Sequence, residues 1–103
     1  MIEIKIHPFR IEAKGHAGYD EPGRDIVCAA VSTLLSALSL GVERESNYGC
    51  LAAFESALEQ GAAVITAKPH PPYLREVRLL FDVFAQALLQ IAEQYPEYVR
   101  IAT

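Results

Sequence analysis

Two short segments at the start of the chain alternate apolar and polar residues, which is the pattern of half-buried strands. Isoleucine occupies every second position from Ile2 to Ile6, with polar residues between. The same alternation returns from Arg10 to Lys14. Residues 7–10, which include Pro8, predict a tight turn between the two segments. We therefore predict a β-hairpin here.

Two longer segments carry apolar residues at helical spacing. The first follows Asp25, a favourable N-cap, and is predicted to run from Ile26 to about Leu40 and to end at Gly41 as C′. The second is predicted to run from about Tyr73 to Tyr95 and to end before Pro96. The predicted buried faces are Val27, Ala30, Val31, Leu34 and Leu38 in the first helix, and Val77, Leu80, Phe81, Phe84, Leu88 and Ile91 in the second.

The middle and the end of the chain complete the element order. Residues 48–54 and 62–67 predict two strands with a turn at Gln60-Gly61, although residues 51–58 also have helical propensity. Residues 98–101 predict a short last strand. The order β-β-α-β-β-α-β predicts a single α+β domain, residues 1–103. Its architecture is a two-layer sandwich, in which two helices cover one side of a largely antiparallel sheet of four to five strands.

The composition narrows the class of protein. The 103 residues carry a net charge of −4 and no basic block, so a generic nucleic-acid coat is excluded and no direct nucleic-acid partner is expected. No apolar run reaches the roughly 18 residues of a membrane span, so we expect no membrane partner. Two cysteines without a signal-peptide pattern favour free thiols in a reducing cytoplasm.

Cys28 is the first candidate for chemistry. With Asp25 as N-cap it is the third residue of a helix, where free N–H groups and a partial positive charge stabilise a thiolate and can donate to an oxyanion. The carboxylate of Asp25 opposes this by raising the thiol pKa. Cys28 shares its helix side with Ser32, Ser36 and Ser39 rather than with the valines, although Leu35 also falls on that side. The alternative, that Cys28 is a small buried hydrophobe, stays open.

His16 is the second candidate, since it precedes Cys28 by 12 residues and a His beside a Cys forms a nucleophile–base pair. The alternative is a surface histidine at a strand end. Strand parity places His16 on the face of Glu12 and Lys14, away from the helices, unless the chain bends at Gly15.

The remaining candidates are weaker. We expect His7 to be a solvated strand residue, His70 to lie alone in a proline-rich loop and Cys50 to be a packing residue. No Cys-x-x-Cys or His-x₃-His spacing is present, and neither is a phosphate-binding glycine loop or a dinucleotide motif. We therefore expect neither a metal nor a cofactor.

Two blocks of the sequence resemble the ribosomal-processing cysteine protease family, Prp. The C-terminal block is Ile91 to Pro96 together with Tyr98. The N-terminal block is more specific because it sets a dozen residue types together with the His-to-Cys gap. It consists of Gly15-His16-Ala17-Gly18-Tyr19, then Gly23, then Asp25-Ile26-Val27-Cys28-Ala29-Ala30-Val31-Ser32.

The resemblance implies a small cytoplasmic homodimer that removes the N-terminal extension of a bacterial large-subunit ribosomal protein, cutting after an aromatic residue. The family's dyad falls on His16 and Cys28, with supporting candidates at Asp25 and Ser32. Asp25 would cap the helix and orient His16. The loop of residues 17–24 would be a mobile flap over an extended peptide.

Three further expectations concern the flap, the dimer and the alternatives. Gly18 and Gly23 are the expected hinges of the flap. Leu79 and Val83 lie opposite the core stripe of the second helix, where a second copy would pack. The first alternative function is a non-catalytic, ribosome-associated module that binds peptides at a sheet edge. The second, an RNA-binding domain, fits the acidic charge poorly.

Overall fold

The computed structural model describes residues 1–102 and confirms the predicted α+β class and element order. The elements are β1 (Ile2–His7), β2 (Arg10–Lys14), α1 (Ile26–Asn47), β3 (Leu51–Glu59), β4 (Ala62–Pro69), a 3₁₀ turn (Pro71–Tyr73), α2 (Leu74–Gln94) and β5 (Val99–Ala102). Residues 51–58, which have helical propensity, form a strand because they pair along β4.

The five strands form one sheet in the order β3-β4-β2-β1-β5. Within residues 1–102, only the pairing of β1 with β5 is parallel, and the other three pairings are antiparallel. One face carries Ile4, Ile11 and Ile65, each fully buried, while the charged residues of β1 point to the opposite, exposed face. Both helices therefore cover one face of the sheet, and the core lies between the two layers.

Helix α1 does not end at Gly41, as the sequence predicted, but continues to Asn47. Gly41 lies where α2 crosses closely, since a Cβ built on it would be 2.9 Å from Cδ1 of Leu80. The glycine therefore allows close helix packing instead of ending the helix. The chain turns at Gly49, whose φ is +78°, and the Cys50 N–H donates to the Glu45 carbonyl oxygen.

The buried face of α1 is rotated from the predicted one. Leu35 and Val42 are buried, whereas Ala30 and Leu34 are only half-buried. The reason is that α1 packs against β3 and β4 as well as against α2, which turns its stripe toward the sheet. In α2, three of the six residues predicted to be buried are buried, and the other three, Leu80, Phe84 and Ile91, are half-buried. Ala85 is buried but was not predicted to be. The buried residues of α2 are Val77, Phe81, Ala85 and Leu88.

Helix α1 is also long and apolar enough to cross a membrane by length and composition alone, which the search for apolar runs missed. An 18-residue window has a mean hydropathy of 1.8. Core helices of soluble proteins meet the same criterion. Five side chains of α1 are buried against the rest of the structure.

The largest fully buried side chain, Phe81, gives a test of the core. It is 1% exposed, and its ring meets Phe9 edge-on with the centroids 6.3 Å apart. We expect Phe81→Ala to lower the free energy of unfolding by about 3–5 kcal/mol, because it leaves a cavity between the layers. The exposed Gln86→Ala on the same helix should change it by less than about 0.5 kcal/mol. Urea denaturation checks this, and equal losses in both variants would contradict it.

Candidate active site

A groove of about 810 Å³ lies where the first turns of α1, the loop after β2 and the β3–β4 turn meet. All six residues predicted for the active site and its flap line this groove. They come from two separate parts of the chain, the loop after β2 and the start of α1. Leu35 and Leu58 contribute apolar side chains to the lining of the groove. The six predicted residues are His16, Gly18, Gly23, Asp25, Cys28 and Ser32.

Cys28 occupies the helix position predicted for it, half-buried in the first turn of α1. Asp25 is the N-cap, and its Oδ1 accepts hydrogen bonds from the backbone N–H groups of Val27 at 3.0 Å and Cys28 at 2.9 Å. The Cys28 amide is therefore occupied and is not free to donate to an oxyanion while the cap holds.

A second backbone group points at the thiol. The Ala17 N–H donates to Cys28 Sγ at 3.2 Å, and Ala17 itself is 3% exposed. The contact gives the sulfur one backbone hydrogen-bond donor from outside the helix. The sequence carried no signal for this contact, since the donor is the backbone of an alanine and only the fold brings it to the helix.

The carboxylate of Asp25 joins the loop to the helix. Its Oδ2 accepts from the Tyr19 N–H at 3.0 Å. Burial raises the pKa of Asp25, but hydrogen bonds from the backbone of Cys28, Tyr19 and Asp20 outweigh it, so the pKa lies below its ordinary value. Both oxygens accept from backbone donors, and over residues 1–102 the structure records no hydrogen bond between this carboxylate and His16, the partner expected for it.

The chain bends just before His16, as strand parity required if His16 was to face the helices. Strand β2 ends at Lys14, and Gly15 has a φ of +102°, which turns the exposed His16 from the outer face of the sheet to the groove. The imidazole lies against Gly61 in the β3–β4 turn. Within residues 1–102 the structure records no hydrogen bond between His16 and Cys28.

The loop of residues 17–24 is held at two points. Asp25 binds the Tyr19 amide, and the Tyr19 ring packs edge-on against Tyr98 and Tyr95 with centroid distances of 5.2 and 5.9 Å. Gly18 and Gly23 have positive φ and open space around them, so the loop bends at both. The N-terminal block that resembles Prp therefore contacts the C-terminal block through these tyrosines. The sequence did not predict this contact.

Cys50 has the opposite environment from Cys28. It is buried, and burial together with the neighbouring carboxylates of Glu45 and Glu76 raises the pKa of its thiol, which stays protonated at neutral pH. The donor atoms of these three residues lie within 4.8 Å of one another, a grouping that no spacing rule foresaw. His7 and His70 are exposed, and neither lines the groove.

The lowered pKa of Asp25 predicts how its charge contributes to stability. The contribution is fully present above the ordinary pKa of 3.8 and is lost as the pH falls through the lower folded-state value. Asp25→Asn keeps a capping side chain but removes the charge, so we expect it to be less stable than the wild type at pH 7 and to approach it below about pH 4. Thermal unfolding across pH tests this, and a gap that widens in acid would contradict it.

Comparison with known proteins identifies the family of this chain. The family model described as cysteine protease Prp matches residues 1–100. The ribosomal processing cysteine protease Prp of Mycoplasma genitalium is 33% identical over 101 residues, which cover 98% of this chain and 94% of that protein.

Solved structures agree on the fold. The S. aureus ribosomal processing protease Prp with a covalently linked product peptide has a TM-score of 0.71 at 23% identity, with 97% of this chain and 94% of that chain covered. The S. aureus enzyme with a substrate peptide has a TM-score of 0.69 at 23% identity, with 99% and 98% covered. This chain belongs to the Prp family of cysteine proteases.

Proposed function

We propose that this protein is a cysteine endopeptidase that removes the short N-terminal extension of a bacterial large-subunit ribosomal protein. Cys28 is the nucleophile and His16 is the acid–base partner. The observation that carries the proposal is the shared groove, in which a thiol at a helix N-terminus accepts a hydrogen bond from the Ala17 N–H and a histidine lines the same space. The names of the relatives supply the substrate class.

The reaction uses the two side chains in two steps. The Cys28 thiolate attacks the scissile carbonyl carbon, and His16 in its protonated form gives its proton to the leaving amine as the C–N bond breaks. In the second step His16 takes a proton from water, the hydroxide attacks the thioester, and the acid product leaves while the thiolate is restored. The chain needs no metal for either step.

Substrate binding completes this arrangement. His16 rests on the β3–β4 turn, so a bound peptide has to bring the scissile bond between His16 and Cys28. Catalytic hydrogen bonds are often absent without substrate and form only in the complex. The loop of residues 17–24, bending at Gly18 and Gly23, is the flap that closes over the peptide. Ser32 lines the groove one turn beyond Cys28 and is placed to contact the peptide.

A second candidate function rests on a different observation. Strand β3 lies at the edge of the sheet, and every residue after Leu51 in it is exposed. An extended peptide can add to such an edge through backbone hydrogen bonds. A ribosome-associated binding module of this kind would need no reactive cysteine, and the Cys28 variants below separate the two functions.

We also propose a cytoplasmic homodimer, as the resemblance implies. Leu79 and Val83 are 63% and 55% exposed on α2, and Leu40 of α1 is 67% exposed. Apolar side chains so exposed on the helical layer favour contact with a second copy.

The cleavage test uses a synthetic peptide from the N-terminus of the host's ribosomal protein precursor. We expect the wild type to make one defined cut, Cys28→Ala to make none, and His16→Ala to be slower by roughly 10²–10⁴-fold. Cys50→Ala is the matched control, because it removes the buried thiol and should keep the activity. Mass spectrometry identifies the products.

Two outcomes would contradict the proposal. Cleavage by Cys28→Ala at the wild-type rate would show that Cys28 is not the nucleophile. Peptide binding without a cut by the wild type would favour the binding module.

The dimer is tested separately. We expect sedimentation equilibrium to give twice the chain mass for the wild type and the mass of one chain for the double variant Leu79→Glu, Val83→Glu, since two charges in an apolar contact are not tolerated. Tyr48→Glu, at a 70% exposed position outside this surface, should stay dimeric. A monomeric wild type would contradict the proposal.

A further inference from the structure

We propose that Gly61 is a positioning residue for His16: its missing side chain leaves the space that the imidazole occupies. The inference rests on the proposed function, in which His16 transfers protons. It adds the β3–β4 turn to the site as the element that sets where the imidazole lies.

The contact between Gly61 and the imidazole is close. A Cβ built on Gly61 would lie 2.8 Å from Nε2, 3.2 Å from Cε1 and 3.6 Å from Cδ2 of His16. Real Cβ atoms essentially never approach another atom as closely as the first of these distances. Any residue other than glycine at position 61 therefore displaces the ring, and the edge that moves carries Nε2.

The same residue also anchors the backbone before His16. The Gly15 N–H donates to the Gly61 carbonyl oxygen at 2.9 Å, directly beyond the last β2–β4 pair, Lys14 with Ala62. The turn is therefore fastened to the end of β2 by the sheet. A rigid element that contacts both the backbone and the ring is what positions a side chain accurately.

Little else holds the imidazole. His16 is exposed, and over residues 1–102 the structure records no hydrogen bond to its ring. Asp25, the expected orienting carboxylate, is occupied by backbone donors. The ring is therefore placed by shape, through Gly61, and not by a third polar side chain.

Gly49 offers a matched control. Its φ is +78° and that of Gly61 is +79°, so an alanine strains the backbone equally at both. Nothing lies within 4 Å of a Cβ on Gly49, which sits at the opposite end of β3. The two alanine variants therefore share the strain and differ in the contact with His16.

We expect Gly61→Ala to lower kcat for the precursor peptide by roughly 10–100-fold, because a displacement of up to about 1 Å misaligns proton transfer. KM should stay within about threefold, and Gly49→Ala should keep kcat within about twofold. If either alanine variant fails to fold, Gly61→Asn and Gly49→Asn replace them, since Asn tolerates positive φ but still carries a Cβ.

NMR gives a readout independent of turnover. The wild type should show a nuclear Overhauser effect between His16 Hε1 and the Gly61 Hα protons. The His16 ring resonances should shift in the position-61 variants and stay in place in the position-49 variants.

The outcomes separate this inference from the proposed function. Equal kcat values at the two glycine positions, or His16 resonances unmoved by Gly61→Ala, would overturn the positioning role while leaving the protease intact. A wild type that makes no cut would overturn the proposed function, and the positioning role with it.

Discussion

The N-cap at Asp25 is the interaction on which the rest of the site depends. One carboxylate oxygen holds the first turn of α1, and the other holds the loop at Tyr19. The cap thereby places Cys28 at the start of the helix and keeps the loop close enough for the Ala17 N–H to reach its sulfur. Backbone hydrogen bonds lower the pKa of Asp25, so the cap is charged at neutral pH.

The two cysteines lie in different environments. Cys28 is half-buried in a groove, beside a helix N-terminus and a backbone donor. Burial, and after it the carboxylates of Glu45 and Glu76, raises the pKa of the Cys50 thiol. The proposed role of nucleophile therefore falls on Cys28, the cysteine that lines the groove.

Periodicity predicted β1, β2 and the two helices, because each of them buries one face. It did not distinguish strand from helix over residues 51–58, because β3 has no buried residue. The prediction that Gly41 ends the first helix as a C′ glycine was wrong, because the close approach of Leu80 from another helix explains this glycine. The six residues predicted for the site line one groove. The contacts made by Ala17, Tyr19 and Gly61 could not be predicted, because each uses backbone or packing that only the folded chain brings together.

The central claim is that Cys28 attacks the substrate carbonyl. The most direct measurement is mass spectrometry of the protein after incubation with a chloromethyl ketone made from the precursor peptide up to its cleavage site. The account predicts one adduct per chain, located on Cys28 and prevented by an excess of the uncleaved peptide. An adduct on Cys50 instead, or none on a folded protein that binds the peptide, would contradict it.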